Sequence, residues 1–124
     1  MSHKSREATA SFAFQDLTIR EMTPDGLTSA SVAEVTVPPS AAHARARSTK
    51  SDKLYAGQEG EVVFRLDGGE VRLRPGDTLA IPAGSWFAYV NDGERTARLL
   101  LVHVPPFDLD AEEFEAPPEP GGGS

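Results

Sequence analysis

The chain has 124 residues, no cysteine and a formal net charge of −7. This length suits one domain with a single core. The lack of cysteine excludes disulfide frameworks, thiolate metal sites and cysteine nucleophiles, and it fits a reducing compartment. Six of the 19 acidic residues and none of the 12 basic ones follow residue 107. The remainder is nearly neutral, which argues against a nucleic-acid partner.

The two ends of the chain differ in composition from its middle. Residues 1–11 are polar and weakly periodic, and residues 108–124 are acidic and rich in proline and glycine. We expect a flexible N-terminus and a disordered tail on either side of a domain at 12–107. No signal-peptide run and no stretch of roughly 20 apolar residues is present. We therefore expect a cytoplasmic protein that does not contact a membrane.

The middle of the chain shows the alternation that is typical of β-strands. Apolar, β-branched and aromatic residues recur at every second position in eight runs: 12–22, 29–37, 53–58, 61–67, 70–74, 78–82, 85–91 and 97–104. The turn at Asp67, Gly68 and Gly69 predicts a hairpin that joins 61–66 to 70–74. Many short strands without a long amphipathic helix predict an all-β sandwich or barrel.

A set of turn residues follows this hairpin at fixed spacing. Gly76 is followed after five residues by Pro82, after one more by Gly84, and after six more by Asn91. This pattern resembles the second motif of the cupin superfamily, in which the position of Phe87 is a histidine. The resemblance covers about residues 28–107 and implies a single-domain jelly-roll β-barrel. Small cupins are often homodimers, so it also implies a homodimer.

The first cupin motif, which carries two histidines and a glutamate, is more degraded. If Gly60 is its glycine, Lys53 stands at the glutamate position and Arg47 and Thr49 stand at the histidine positions.

An alternative register of this motif starts further upstream. It places His43 and Arg45 at the histidine positions, with a longer connection to Asp52. In both registers, strict alternation along a strand turns positions 43, 45, 47 and 49 toward the barrel interior.

Metal-dependent cupins hold a divalent metal ion with three histidines and a carboxylate, ligands that suit such ions. The arginine, lysine and phenylalanine at these positions cannot replace that set. The resemblance therefore implies a cupin without the usual metal site and without a cofactor. A metal-dependent enzyme with an atypical site, built from His43, His103 and a carboxylate, remains an alternative.

Ten residues are candidates for a site inside the barrel. Histidine titrates near neutral pH and tyrosine can donate a proton, which gives four candidate catalytic residues: His103, His43, Tyr55 and Tyr89. Cations that bind anions, together with neighbouring polar and aromatic residues, give six candidate substrate-binding residues: Arg45, Arg47, Thr49, Lys53, Gln58 and Phe87. Trp86 has the opposite parity to Phe87 and is expected outside the barrel.

Each group of candidates has a structural interpretation as well. The arginines could lie in solvent with the intervening alanines facing inward, the aromatic residues could be core, and His103 could be a structural residue of the last strand.

These observations predict a metal-independent cupin that binds a small polar or anionic molecule in the barrel. Its chemistry would be isomerisation, epimerisation or cyclisation by acid and base catalysis. A protein that binds a ligand without transforming it fits equally well, so catalysis stays open. A structural barrel without a ligand is a further alternative, and it predicts an interior filled by side chains.

Overall fold

The computed structural model describes residues 1–115 and consists almost entirely of β-strands. The strands are β1 (Ser11–Phe14), β2 (Leu17–Glu21), β3 (Ser31–Val37), β4 (Ala42–Ser48), β5 (Asp52–Glu59), β6 (Val62–Leu66), β7 (Gly69–Leu73), β8 (Thr78–Ile81), β9 (Phe87–Val90), β10 (Ala97–Val104) and β11 (Glu112–Phe114). Short 3₁₀ turns lie at Arg6–Ala8 and Leu109–Ala111. This part of the chain contains no α-helix, and so no helix that could cross a membrane.

The strands form two antiparallel sheets whose inner faces enclose one core. The first sheet has the order β1-β2-β3-β10-β5-β8, and the second has the order β11-β4-β9-β6-β7. Val35, Tyr55 and Leu99 of the first sheet pack in the same buried cluster as Phe64 and Phe87 of the second. The prediction of an all-β, jelly-roll barrel is confirmed.

Strand β10 shows how the sequence pattern produces this arrangement. It pairs with β3 on one side and with β5 on the other. Ala97, Leu99, Leu101 and His103 are buried, while the residues between them are more exposed. Alternation therefore places the odd-numbered side chains of β10, including His103, inside the barrel.

The turns that the sequence predicts around β6, β7 and β8 are present in the structure. β6 and β7 form the predicted hairpin, in which Leu66 pairs with Gly69 across Asp67 and Gly68. Gly76 and Gly84 adopt φ values of 89° and 85°, in the left-handed region that favours glycine.

Asn91 of the cupin motif has a structural role. Its side-chain amide donates hydrogen bonds to the carbonyl oxygens of Val37, at 2.9 Å, and Arg95, at 2.7 Å. Asn91 is 1% exposed. It therefore ties the turn between β9 and β10 to the end of β3.

The first predicted strand, at 12–22, is divided into two. Gln15 has a φ of 54°, and the turn at Gln15 and Asp16 separates β1 from β2. The eight predicted runs do not include residues 42–48, where the structure has the strand β4.

The ends of the chain are more ordered than the composition suggests. Before the barrel, the Arg6 guanidinium binds the Glu34 carboxylate through two hydrogen bonds of 2.8 Å. After it, residues 108–115 belong to the barrel instead of to a disordered tail, because Leu109–Ala111 forms a turn and β11 pairs with β4. Two acidic side chains of this segment, Glu113 and Glu115, form ion pairs with Arg47 and Arg45 of β4. The rest of the predicted tail, 116–124, lies outside the described residues.

Candidate functional site

The barrel contains a cavity of about 360 Å³ between the two sheets. Its wall includes His43 from β4, Lys53 and Tyr55 from β5, Tyr89 from β9 and His103 from β10. A structural barrel without a ligand predicts an interior filled by side chains. The cavity argues against that alternative. All four candidate catalytic residues line this one space.

One side of the cavity is an aromatic wall around His43. The imidazole centroid lies 5.1 Å from the ring centroids of both Phe87 and Tyr89. Tyr55 meets Tyr89 edge to face, with centroids 5.7 Å apart. Phe87 is 1% exposed and packs behind the cavity as core. The ring at the vacated histidine position therefore fixes the imidazole of His43 by packing, in an arrangement typical of aromatic clusters.

His43 is neutral at physiological pH. Burial lowers its pKa to about 4, and the nearby Lys53 ammonium contributes in the same direction. The ring Nδ1 lies 2.6 Å from the Ala44 carbonyl oxygen, which can only accept, so Nδ1 carries the proton. His43 lines the cavity, and Nε2 is the ring nitrogen left to accept a hydrogen bond or a proton.

The two tyrosines remain protonated. Burial raises the pKa of Tyr55 well above its usual value, and the Tyr89 hydroxyl contributes to this shift. Burial raises the pKa of Tyr89 as well. Both groups therefore remain neutral hydroxyls, which can donate hydrogen bonds.

A cluster of three charged or titratable side chains also lines the cavity. Lys53 Nζ lies 3.1 Å from His103 Nε2 and 2.5 Å from Glu112 Oε1. Burial lowers the Lys53 pKa, while the hydrogen bond and the charge of Glu112 oppose this shift. Burial, and then the charge of Lys53, lower the pKa of His103 to about 3. His103 is therefore a neutral acceptor for a charged lysine.

The mouth of the cavity is apolar. Phe12, Phe107, Leu109 and Phe114 line it and are all exposed. Three of these residues follow β10, so the C-terminal segment forms much of the mouth.

The structure corrects the orientation that the sequence predicted for Arg45 and Arg47. β4 has a register shift against β9 between His43 and Ala46, so two residues of β4 oppose one of β9. Such a bulge interrupts the alternation of side chains. His43 faces inward and so does Ala46, whereas both guanidinium groups lie outside, 4.8 and 4.7 Å from the centroid of Trp86.

Thr49 and Gln58 also lie outside the cavity lining. Thr49 is exposed, and its backbone N–H donates to the Ala111 carbonyl oxygen at 2.8 Å. Gln58 is exposed at a second bulge, where Gly57 pairs with Leu99 and Glu59 pairs with Arg98. Neither side chain is placed to contact a molecule in the barrel.

Glu112 lines the cavity, although it is not among the candidates predicted from the sequence. It stands among six carboxylates after residue 107, a composition typical of a solvated tail. The apolar residues Leu109 and Phe114, at intervals within this run, are the one signal that the segment packs against the barrel.

The residues present do not fit the usual metal ion of the fold. Lys53 Nζ occupies the space between His103 and Glu112, and it lies 5.2 Å from the centroid of Phe87, which cannot ligate. The described part of the chain also contains no group of three or more His, Asp or Glu side chains arranged to hold a metal ion. The atypical set of His43, His103 and a carboxylate is thus not assembled there.

Solved structures with the same fold include a nucleoside dehydratase and a sugar phosphate isomerase. A Streptomyces nucleoside dehydratase, Pac13, has a TM-score of 0.77 and 19% identity over 90% of this chain and 88% of its own. Variants of that protein with one histidine or tyrosine replaced have been solved with uridine. KdgF from a Halomonas species has a TM-score of 0.77 and 16% identity over 87% of this chain and 96% of its own.

A sugar phosphate isomerase from Silicibacter pomeroyi has a TM-score of 0.63 and 24% identity over 77% of this chain and 68% of its own. No curated protein gave a significant match. A cupin domain model matches residues 33–103, which is more than half of the chain. With its two-sheet barrel and the turn residues of the second cupin motif, the chain belongs to the cupin family.

Proposed function

We propose that this protein is a metal-independent cupin that binds a small polar molecule in its barrel and catalyses a proton transfer on it. The observation that carries the proposal is the state of His43. Its ring lines the cavity and is fixed by packing, its Nδ1 donates to a backbone carbonyl, and its Nε2 is left to accept a proton. These are the geometric requirements of a general base.

The reaction class follows from the groups around this base. His43 Nε2 would take a proton from a carbon atom next to a carbonyl group, which leaves the electron pair of the broken C–H bond on the ligand. The His43 imidazolium would then return the proton to carbon, giving isomerisation or epimerisation, or pass it through the hydroxyl group of Tyr55 or Tyr89 to a neighbouring hydroxyl group of the ligand, which leaves as water. The Streptomyces neighbour, a dehydratase, exemplifies the second outcome.

The ligand class follows from the shape and polarity of the cavity. Cavities of roughly 300–1,000 Å³, mostly apolar and with a few convergent polar groups, are typical of small-molecule sites. Here a few polar side chains, among them His43 and Lys53, lie in a mostly apolar lining whose exposed members include Phe12, Phe107 and Phe114. A nucleoside or a similar sugar derivative with a ring substituent fits this distribution, and the uridine complexes of the Streptomyces neighbour support that choice.

The first experiment measures exchange of protons with solvent. We would incubate the protein in D₂O with a panel of hydroxyaldehydes and hydroxyketones, including those derived from nucleosides, and analyse them by mass spectrometry. We expect deuterium incorporation or loss of water with at least one compound, and a loss of this activity in His43→Gln. Arg65→Gln, on the exposed face of β6, is the matched control. Equal activity in His43→Gln and the control would contradict the proposal.

A binding protein without catalysis is the second candidate. The low pKa of His43 favours it, because acid and base catalysis is most efficient when the pKa lies near the working pH. Calorimetry with uridine as the probe, without any exchange of deuterium across the panel, would identify this function. Tyr89→Phe should then weaken binding of the probe through the loss of one hydrogen bond.

The proposal also includes the setting in which the protein acts. We expect a cytoplasmic homodimer without nucleic-acid or membrane partners. Light scattering coupled to gel filtration measures the mass directly, and the mass of a single chain at micromolar concentration would contradict the dimer.

A further inference from the structure

Lys53 occupies a site built for a cation. Its side chain is 4% exposed, and that of Glu112 is 5% exposed. His103 Nε2 and Glu112 Oε1 both contact the same nitrogen, and the Phe87 ring centroid lies 5.2 Å from it. An imidazole nitrogen, a carboxylate oxygen and an aromatic face all attract positive charge. The first two are also common ligands of divalent metal ions.

The ammonium group has hydrogen-bonding capacity left over. An ammonium carries three N–H donors, and within residues 1–115 two acceptors contact Lys53 Nζ. Lys53 lines the cavity. Its third N–H is therefore available for an acceptor atom of a bound molecule.

We propose that the Lys53 ammonium is the electrophilic centre of this cavity, held by His103 and Glu112 so that its third N–H binds an oxygen atom of the ligand. When His43 removes a proton from the adjacent carbon, negative charge develops on that oxygen. A fixed cation in a water-poor site stabilises such charge strongly, because it needs no reorganisation during the reaction. This inference rests on the proposed function and assigns it a ligand that carries a carbonyl or carboxylate oxygen.

His103 and Glu112 are positioning residues in this scheme. Both accept hydrogen bonds from Lys53, and the charge of Glu112 opposes the effect of burial on the lysine pKa. Neither needs to transfer a proton. Burial lowers the pKa of His43, and the charge of Lys53 adds to that shift.

The first test replaces the cation by a metal ligand. In Lys53→Glu, a carboxylate joins His103 and Glu112 and completes a set of three donors for a divalent ion. We expect this variant to bind one equivalent of Ni²⁺ or Co²⁺ by calorimetry, with ligand-field absorption for Co²⁺. Lys53→Gln, which supplies no charge, and Lys53→Glu/His103→Gln, which lacks the nitrogen donor, should bind at least tenfold more weakly. A folded Lys53→Glu that takes up neither ion would overturn the assignment.

The second test uses the unmodified protein and does not depend on the folding of a variant. Nitrogen NMR of the His103 ring should show a proton on Nδ1 and a bare Nε2 that couples to the Lys53 ammonium. A proton on Nε2 of His103 would overturn the geometry.

The third test uses a substrate identified by deuterium exchange. Lys53→Gln should lower the exchange rate at saturating substrate about a hundredfold or more, with a smaller change in the dissociation constant. A change in affinity alone would show that Lys53 binds without stabilising the developing charge, and would overturn its electrophilic role. Metal uptake and the His103 tautomer need no catalysis. If metal uptake and this tautomer are observed while no compound exchanges deuterium, the cation site is supported and the proposed reaction is contradicted.

Discussion

Glu112 and Lys53 are separated by 59 residues in the chain, and the carboxylate Oε1 of one lies 2.5 Å from the Nζ of the other. Both side chains are almost fully buried. This contact joins the last described strand to the centre of the barrel. The charge of Lys53 in the cavity is therefore balanced by the acidic segment after residue 107, whose composition is typical of a solvated tail.

Replacing one member of this pair should lower the free energy of unfolding more than replacing both. Lys53→Met leaves the Glu112 carboxylate buried without its partner, which typically costs about 3–5 kcal/mol. The double variant Lys53→Met/Glu112→Met removes both charges and should recover much of this loss. Urea denaturation gives the free energies of unfolding for the two variants and the native chain. If the double variant is less stable than Lys53→Met alone, the buried charge is not the source of the cost.

Acid should destabilise the fold through its two buried histidines. The folded-state pKa is about 4 for His43 and about 3 for His103, against 6.5 for an ordinary histidine. The unfolded chain therefore binds more protons than the folded chain between these values. The contribution of these two histidines to the free energy of unfolding is fully present above pH 6.5, and it is lost as the pH falls toward 4 and 3. Between pH 6.5 and 5, each histidine should contribute a loss of about 1–2 kcal/mol.

Denaturant unfolding measured across this pH range checks the expectation. His43→Gln should flatten the curve by the share of one histidine. A curve as steep as that of the native chain would mean that His43 already carries a proton in the fold.

Arg47→Ala should weaken the pairing of β11 with β4 without replacing any residue that lines the cavity. Arg47 Nε donates to Glu113 Oε1 at 2.6 Å, and both side chains are partly exposed. An exposed ion pair contributes about 1 kcal/mol or less and is screened by salt. Hydrogen exchange of the β11 amides should therefore accelerate a few-fold in the variant. In the native chain the same amides should exchange faster at high salt.

Arg65→Ala is the control for this experiment, because its partner Glu70 lies within the β6–β7 hairpin. Equal exchange rates in β11 for Arg47→Ala and this control would contradict the role of Arg47.

Gly57→Ala should be severely destabilising. A Cβ at this position would lie 2.2 Å from the Arg74 carbonyl oxygen, a backbone atom that cannot move away cheaply. The backbone of Gly57 also exchanges hydrogen bonds with Gly76 and Asp77. We expect a loss of more than about 3 kcal/mol in thermal or urea unfolding.

Gly68→Ala is the matched control, since a Cβ there meets no atom within 4 Å. Its effect should stay within about 0.5 kcal/mol. Similar losses for the two variants would mean that the contact with Arg74 is not the cause.

Phe87→His should restore the cupin histidine without restoring metal binding. The Lys53 ammonium, whose Nζ lies 5.2 Å from the Phe87 centroid, would still be next to the new imidazole. Its positive charge would repel a divalent metal ion. We expect no uptake of Ni²⁺ by calorimetry and a loss of stability from the disturbed packing with His43 and Tyr89. Stoichiometric uptake by this single variant would show that Lys53 does not exclude a metal ion.

The barrel itself could be predicted because its signals are local. The hairpin at Asp67 and Gly68 depends on two adjacent residues, and Gly76 and Gly84 mark backbone conformations that other residues rarely adopt. Tyr55, Tyr89 and His103 were placed in the cavity by simple alternation within regular strands. His43 was placed correctly as well, because it precedes the bulge in β4.

The errors lie where alternation or composition stops being informative. A bulge adds one residue to a strand without leaving a mark in the sequence, and in β4 this puts Arg45 and Arg47 outside. The strand β11 has three residues, and two of them are glutamates. Its position depends on cations of β4 and β5 that are distant in sequence, so no local pattern could identify Glu112 as a cavity residue.

The position of β11 in the chain also bears on the order of assembly during synthesis. The cavity-lining residues from Phe12 to His103 leave the ribosome before Phe107, Leu109, Glu112 and Phe114. Ten strands can therefore pair while the mouth is still open, with Lys53 hydrated from that side and His103 as its protein partner. Docking of β11 would then be the event that dehydrates the ammonium group. Among the strands of residues 1–115, β11 is thus the one that brings a carboxylate to the Lys53 ammonium.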